Sequence, residues 1–227
     1  MSTVIARNSL SRITRFYDST IGKKAVMAVS GLILFGFLIA HMLGNLQVFL
    51  GREVMNHYAE SLRANPPLLW TARLILLVSV ALHIWSSIDL ALLKKKARPV
   101  DYVKFGNVQG SYASRTMMWS GPIIAAFVIF HLLHLTTGTV HPNFVPLGAY
   151  ENVVTGFKSI PVAIAYIIAM VLVGMHLSHG VWSMFQSIGF SHPKYTPLIK
   201  KFAAVFSWLL IAGFISVPVA VLAGVVR

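Results

Sequence analysis

The sequence predicts an all-α membrane protein: a bundle of five transmembrane helices, with the N-terminus cytoplasmic and the C-terminus outside. Three observations lead there. Of 227 residues, 56% are hydrophobic and only 11% charged, well below the share of charge usual in a soluble domain. Five apolar runs, at about 25 to 50, 68 to 93, 116 to 138, 160 to 186 and 203 to 226, reach the roughly 20 residues a helix needs to cross the hydrocarbon core. Finally, most basic residues fall on alternate loops, the intervening loops holding only Arg52, Arg63 and Lys158. Arg7, Arg12, Arg15, Lys23 and Lys24 precede the first run, Lys94, Lys95, Lys96, Arg98, Lys104 and Arg115 separate the second from the third, and Lys194, Lys200 and Lys201 separate the fourth from the fifth. This is the positive-inside pattern, and it expects a multi-pass protein of the bacterial cytoplasmic (inner) membrane.

Taken in order, residues 1–24 read as a cytoplasmic segment, with Ile13, Phe16 and Tyr17 available to the headgroups. Residues 25–227 read as a single five-helix transmembrane domain. The runs are too long and too little alternating for barrel strands. After the first run, GREVMNHYAESLRANPP reads as a short interfacial helix stopped by proline. Trp70 and Arg73 open the second run, and Asp89 with the lysines after it closes that run, pairing with Lys94 or Lys95 in the simplest reading. HPNFVPLGAYENVVTGF, with two prolines and two glycines, reads as a loop, and SHPKYTP as a tight connection.

Net charge is +13, which in a soluble chain would raise nucleic acid as a partner. Its placement at the ends of apolar runs argues instead for membrane lipid and against nucleic acid. The first apolar run is too long for the core of a cleavable signal. The chain has no cysteine, which excludes disulfides, zinc–thiolate sites, iron–sulfur clusters and covalently attached haem within it.

The ionisable residues inside the runs are mainly histidines. SGLILFGFLIAH and SGPIIAAFVIFH share a skeleton in which Gly31, Phe37 and His41 correspond to Gly121, Phe127 and His131. His83 and His176 sit in the second and fourth runs. Counted from the cytoplasmic basic clusters, His41 and His131 are 17 and 16 residues in and share an outer level. His83 and His176 enter from the other side and share an inner one, on the order of 15 Å away at the rise of a helix. One imidazole from each of two facing helices is the axial set of a haem b, so two levels predict two non-covalent haems. For any one of these histidines alone, a helix-packing bond or a proton relay is an equal alternative. His134 and His179, each three residues beyond a candidate ligand, are alternatives on the same helix face. The Ser-Gly repeat favours His131, and the matched depths favour His176. His57, His141 and His192 read as loop residues with a solvated or interfacial role rather than as ligands.

The runs STIGKKAVMAVSGLILFGFLIAHMLGNLQVFLG, LHIW, SRTMMWSGPIIAAFVIFHLLHLTTGTVHP and MHLSHGVWSMFQSIG resemble the five-helix, two-haem cytochrome b membrane anchor of bacterial succinate dehydrogenases and fumarate reductases. The resemblance implies His41 and His131 as ligands of the outer haem and His83 and His176 as ligands of the inner one. It also implies flavoprotein and iron–sulfur partner subunits on the cytoplasmic side, and electron transfer from succinate to a membrane quinone, with menaquinone expected. Succinate oxidation itself would lie in those partners, since the chain carries no dinucleotide fingerprint. The quinone candidates are Ser30 and Asp89 on the cytoplasmic side and Glu60 on the outer side. Arg73 and Arg115 are candidates for haem propionates or for snorkelling to headgroups. No catalytic residue is assigned. The competing classes are the dihaem anchor of a hydrogenase or formate dehydrogenase, a haem-free transporter with a histidine proton relay, and a purely structural anchor with fewer or no haems.

Overall fold

The structure is a computed structural model that describes residues 15–98, 100 and 111–227. Ile13 and most of the N-terminal segment lie outside the described residues. Among those described, the regular elements are all helical, and five helices are long and apolar enough to span a membrane.

Helix α1 (Thr20–Leu46) starts where the Ser19 hydroxyl accepts the Gly22 N–H at 2.9 Å, an N-cap that satisfies one orphan donor. A 3-10 turn (Gln47–Leu50) extends it to Gly51, whose φ of 101° is open only to glycine at little cost. The interfacial helix α2 (Arg52–Arg63) follows. The proline pair belongs to the next helix rather than stopping this one. Asn65 caps α3 (Pro66–Lys96) by accepting from Leu68 N at 3.1 Å, and proline fits a first turn, where no N–H is needed. Lys94, Lys95 and Lys96 occupy the last turn of α3 and face the negative end of its dipole.

Ser111 caps α4 (Tyr112–His131), which continues as a π-helical turn over Leu132–Thr136. Where a loop was expected, AYENVVTGF folds as helix α5 (Ala149–Phe157), with Tyr150, Asn152, Val153, Val154, Gly156 and Phe157 buried. The last two spans are α6 (Ile160–Ser187) and α7 (Thr196–Leu222). Helix α7 begins seven residues earlier than its apolar run, because Lys200 and Lys201 extend its first turns at the membrane surface.

Helices α6 and α7 pack most closely, with Val173, Leu177, Leu210 and Ile211 buried between them against Phe35, Leu38, Ile39 and Met42 of α1. A Cβ on Gly174 would stand 3.0 Å from the Trp208 ring, so the small residue is what lets α6 and α7 approach. Helix α3 leans on α1, and α4 leans on α6. Close backbone packing is sparse between α1 and α4 and between α3 and α6. Large apolar side chains such as Trp119, Leu77 and Leu209 stand on the outside, as expected of surface that meets lipid rather than water.

Two polar ties fasten the ends. The end where α1, α4 and α7 begin and α3 and α6 finish carries the lysine clusters and is here called the basic end. There Lys23 of α1 meets Asp89 of α3 at 2.8 Å, with Tyr17 also donating to Asp89 at 3.5 Å. Asp89 is thus paired across helices, not with the lysines one turn further along its own helix.

At the far end, Asn56 of α2 donates to Glu151 Oε2 and accepts from Tyr150 N, both at 2.9 Å, while Arg52 meets Glu151 at 3.0 Å. Partial burial pulls the Glu151 pKa up. The hydrogen bonds from Asn56 and from its own N–H and the nearby Arg52 charge pull it down further, so it lies below the ordinary 4.5. Replacing Asn56 with alanine is expected to cost about 2 kcal/mol, the sum of two ordinary hydrogen bonds, read as a lower thermal midpoint in detergent. Because the folded carboxyl has the lower pKa, its contribution is full above pH 4.5 and is lost as pH falls through the folded value. The midpoint difference between wild type and Glu151→Gln should shrink over that acid range.

Candidate functional site

The intramembrane histidines meet in two pairs, each between helices whose backbones pack only sparsely. His83 of α3 faces His176 of α6 with ring centres 6.4 Å apart and planes at 56°. His41 of α1 faces His131 of α4 at 5.7 Å and 84°. The first pair lies nearer the basic end, and the second lies beyond it along the helices.

The near pair is held from behind. His83 Nδ1 lies 3.2 Å from the Met27 carbonyl and 3.4 Å from Ser30 Oγ. A carbonyl only accepts, so Nδ1 carries the proton and Nε2 keeps its lone pair. Ser30 donates its own proton to the Val26 carbonyl at 2.7 Å, which leaves its oxygen free to accept. A Cβ on Gly31 would stand 3.3 Å from His83 Cε1, so the glycine makes room for the ring. His176 Nδ1 lies 3.4 Å from Ser120 Oγ. Both serines are almost fully buried, at 3% and 1% exposed. The serines of the Ser-Gly repeat therefore support the opposite histidine pair from the one they precede in sequence.

In the far pair the repeated phenylalanines lie against the repeated histidines. Phe37 stacks on His41 at 5.2 Å, and Phe127 lies 6.0 Å from His131. His131 Nδ1 is 3.3 Å from the Tyr166 hydroxyl. His134 takes a different place. The Thr137 N–H reaches back to the Leu132 carbonyl, and this wider π turn, of a kind found often at functional positions, begins directly after His131. His134 is buried, stacked on Phe130, bonded through Nδ1 to Tyr166 at 3.0 Å and set 4.9 Å from the His141 ring. His131, not His134, is therefore the α4 residue that meets His41. His179 stands half-buried one turn past His176, and it is His176 that meets His83.

Two imidazoles bound to one metal, each through a bond of roughly 2 Å, have ring centres roughly 6 Å apart when they lie on opposite sides of it. Both pairs fit that spacing. In both cases the rings meet between helices whose backbones pack only sparsely, α1 with α4 and α3 with α6. Three of the four imidazoles, those of His83, His176 and His131, have Nδ1 engaged by hydrogen-bonding groups, the arrangement that orients a metal-bound histidine.

Residues 94–217 match the family described as the succinate dehydrogenase/fumarate reductase transmembrane subunit. That is more than half of the chain. The chain belongs to this family. The match takes in α4, α5, α6 and most of α7, and with them His131 and His176; His41 and His83 lie ahead of it. No curated protein and no solved structure matches in the corresponding comparisons. With its five apolar helices, this transmembrane subunit is a multi-pass membrane protein.

The remaining predicted site residues are scattered. Ser30 is engaged with His83, and Asp89 with Lys23, both toward the basic end, whereas Glu60 is exposed on α2 at the far end. Arg73 lies over the Trp70 ring at 5.0 Å and Arg115 over the Tyr112 ring at 6.0 Å, near the ends of their helices. His141, expected in a solvated or interfacial role, is buried, with Nε2 bonded to the Asn152 carbonyl at 2.9 Å and Nδ1 accepting from Asn143 N. Sequence reasoning missed Tyr166, a lone tyrosine in an apolar run whose importance shows only once α4 is beside it. It also missed a groove of about 310 Å³ that joins Lys24 and Met27 of α1 to Ser183, Gln186 and Ser187 of α6. The polar residues in the last two turns of α6 were its available signal.

Proposed function

We propose that the subunit is a dihaem cytochrome b anchor that carries electrons between an iron–sulfur partner and a membrane quinone in a succinate:quinone oxidoreductase. The observation that carries this reading is the meeting of four histidines from four spans as two facing pairs, at 6.4 and 5.7 Å, between helices whose backbones pack only sparsely. Haem b, when bound by two imidazoles, supplies a one-electron carrier.

The chain's own part is to hold His83, His176 and His131 with Nδ1 engaged and Nε2 free, to shield the rings with Phe37 and Phe127, and to keep water out of the bundle. His41 and His131 would hold the outer haem, and His83 and His176 the inner one. The positive-inside rule puts the basic end in the bacterial cytoplasm, where flavoprotein and iron–sulfur subunits would dock on the lysine-bearing loops. A quinone, with menaquinone as the expected species, would bind at that end. The groove at Met27 supports this placement, because the Met27 carbonyl also contacts His83. Family membership favours this partner set over that of a hydrogenase or formate dehydrogenase.

The test is a reduced-minus-oxidised spectrum of the purified complex, with haem counted per chain by the pyridine haemochrome assay. Two haems b per chain, reducible by succinate, is the expected result. A colourless intact complex would overturn the reading and leave a haem-free structural anchor or a histidine relay in its place.

A further inference from the structure

The Tyr166 hydroxyl stands between two imidazoles, 3.3 Å from His131 Nδ1 and 3.0 Å from His134 Nδ1. A phenol has one proton to donate and lone pairs to accept with, so if the phenol proton is itself to be bonded within this trio, the three groups can be ordered in only two ways. In one, His131 Nδ1–H donates to the Tyr166 oxygen, Tyr166 donates to His134 Nδ1, and the His134 proton sits on Nε2. In the other, every bond is reversed, and the His131 proton moves to Nε2, where it blocks that nitrogen from any metal. Only the first order leaves His131 Nε2 with a free lone pair.

The surroundings hold this chain of groups still. His134 is 1% exposed, stacked on Phe130 with planes 8° apart, and backed by Gly156, whose missing side chain leaves room for its ring. Its Nε2 is buried without a hydrogen-bond partner. In the first order this atom is an unpaired buried N–H, a cost to stability that the arrangement bears. Tyr166 is itself packed edge-on against Phe127 and Phe157, at 5.0 and 4.8 Å. Among the described residues the His41 ring makes no hydrogen bond, so the far pair is controlled from the His131 side.

We infer that Tyr166 and His134 are positioning residues for His131: the phenol oxygen accepts the His131 Nδ1 proton, and His134 fixes the phenol in that order. The inference rests on the dihaem reading above. An imidazole whose Nδ1–H is engaged by an acceptor is a more basic ligand, and a more basic ligand favours the oxidised metal. The Tyr166–His134 pair therefore lowers the reduction potential of the far site alone. It also keeps His134 turned to Tyr166 and out of competition for the iron.

The experiment is a redox titration of the assembled complex, followed optically. A His83→Ala background, which keeps only the far haem, is used to assign its midpoint. Tyr166→Phe should keep two haems per chain and raise the far midpoint. Each tenfold change in the preference for oxidised over reduced iron corresponds to about 59 mV for one electron. His134→Leu should move the same midpoint in the same direction. His134→Gln, whose amide oxygen can accept the phenol proton, should stay near wild type. The near haem should not move in any of them.

Two haems with an unmoved far midpoint in Tyr166→Phe and His134→Leu would overturn the inference. So would a loss of the far haem in His134→Leu equal to that in His131→Ala, which would make His134 the ligand. Should Tyr166→Phe fail to assemble, the Leu and Gln variants of His134 decide between the same two results. Absence of haem from the wild-type complex is read before any variant, and it defeats the dihaem reading rather than this one.

Discussion

Replacing His83 or His176 with alanine is expected to lower the haem content from two per chain to one, removing the near haem and sparing the far one. The two pairs are built on different helices at each level: α3 with α6, and α1 with α4. Alanine leaves one imidazole without its partner across the gap, and a six-coordinate haem b needs both. The far pair keeps His41, His131 and their phenylalanines, none of which touches His83 in the structure. The check is haem per chain by pyridine haemochrome, with the surviving species followed by redox titration. Loss of both haems together would mean that the gap closes as one unit. Retention of two would remove His83 and His176 from the ligand set. His41→Ala and His131→Ala should show the mirror result.

Gly156→Ala should destabilise the protein, against the direction that helix propensity alone predicts. In a helix, alanine is better than glycine by roughly 1 kcal/mol. Here an added Cβ would stand 2.7 Å from His134 Cε1, 3.0 Å from His134 Nε2 and 3.2 Å from His141 Nε2. Neither ring is free to swing away, because His134 is bonded to Tyr166 and stacked on Phe130, and His141 is bonded to the Asn152 carbonyl. Overpacking of this kind costs about 1–3 kcal/mol, so the thermal midpoint of the purified protein should fall. A rise would show that the two imidazoles yield readily, and that the contact between α5 and the end of α4 is loose.

The spans were legible because each is a local property. Twenty or more apolar residues in a row must be helical in lipid, where no water satisfies the backbone, and every expected span is present with its ends moved by a few residues. The ends moved where polar residues such as Lys200 and Lys201, or a proline pair at 66 and 67, join a first turn that hydropathy leaves out. Helix α5 was not legible. Nine residues with two glycines nearby carry little periodic signal, and its helix is held by Asn56, 94 residues from its partner Tyr150. His141 was misread for the same reason, since its burial depends on α5 lying over it.

The sequence by itself determined that this chain has five runs long and apolar enough to cross a membrane, that its basic clusters fall on alternate connections, and that histidines sit inside four of those runs at two depths. All of these follow from the order of apolar and charged residues along one strand of chain. Only the tertiary structure decided which side chains meet. It set His83 against His176 and His41 against His131, put the repeat serines behind the near pair, joined Asp89 to Lys23 across 66 residues, and gave Tyr166 to both His131 and His134. Hydropathy records how deep a residue lies but not which way it faces. Helix rotation and the π turn after His131 are settled by packing between segments far apart in the chain, so the pairing became readable only when the helices were seen side by side.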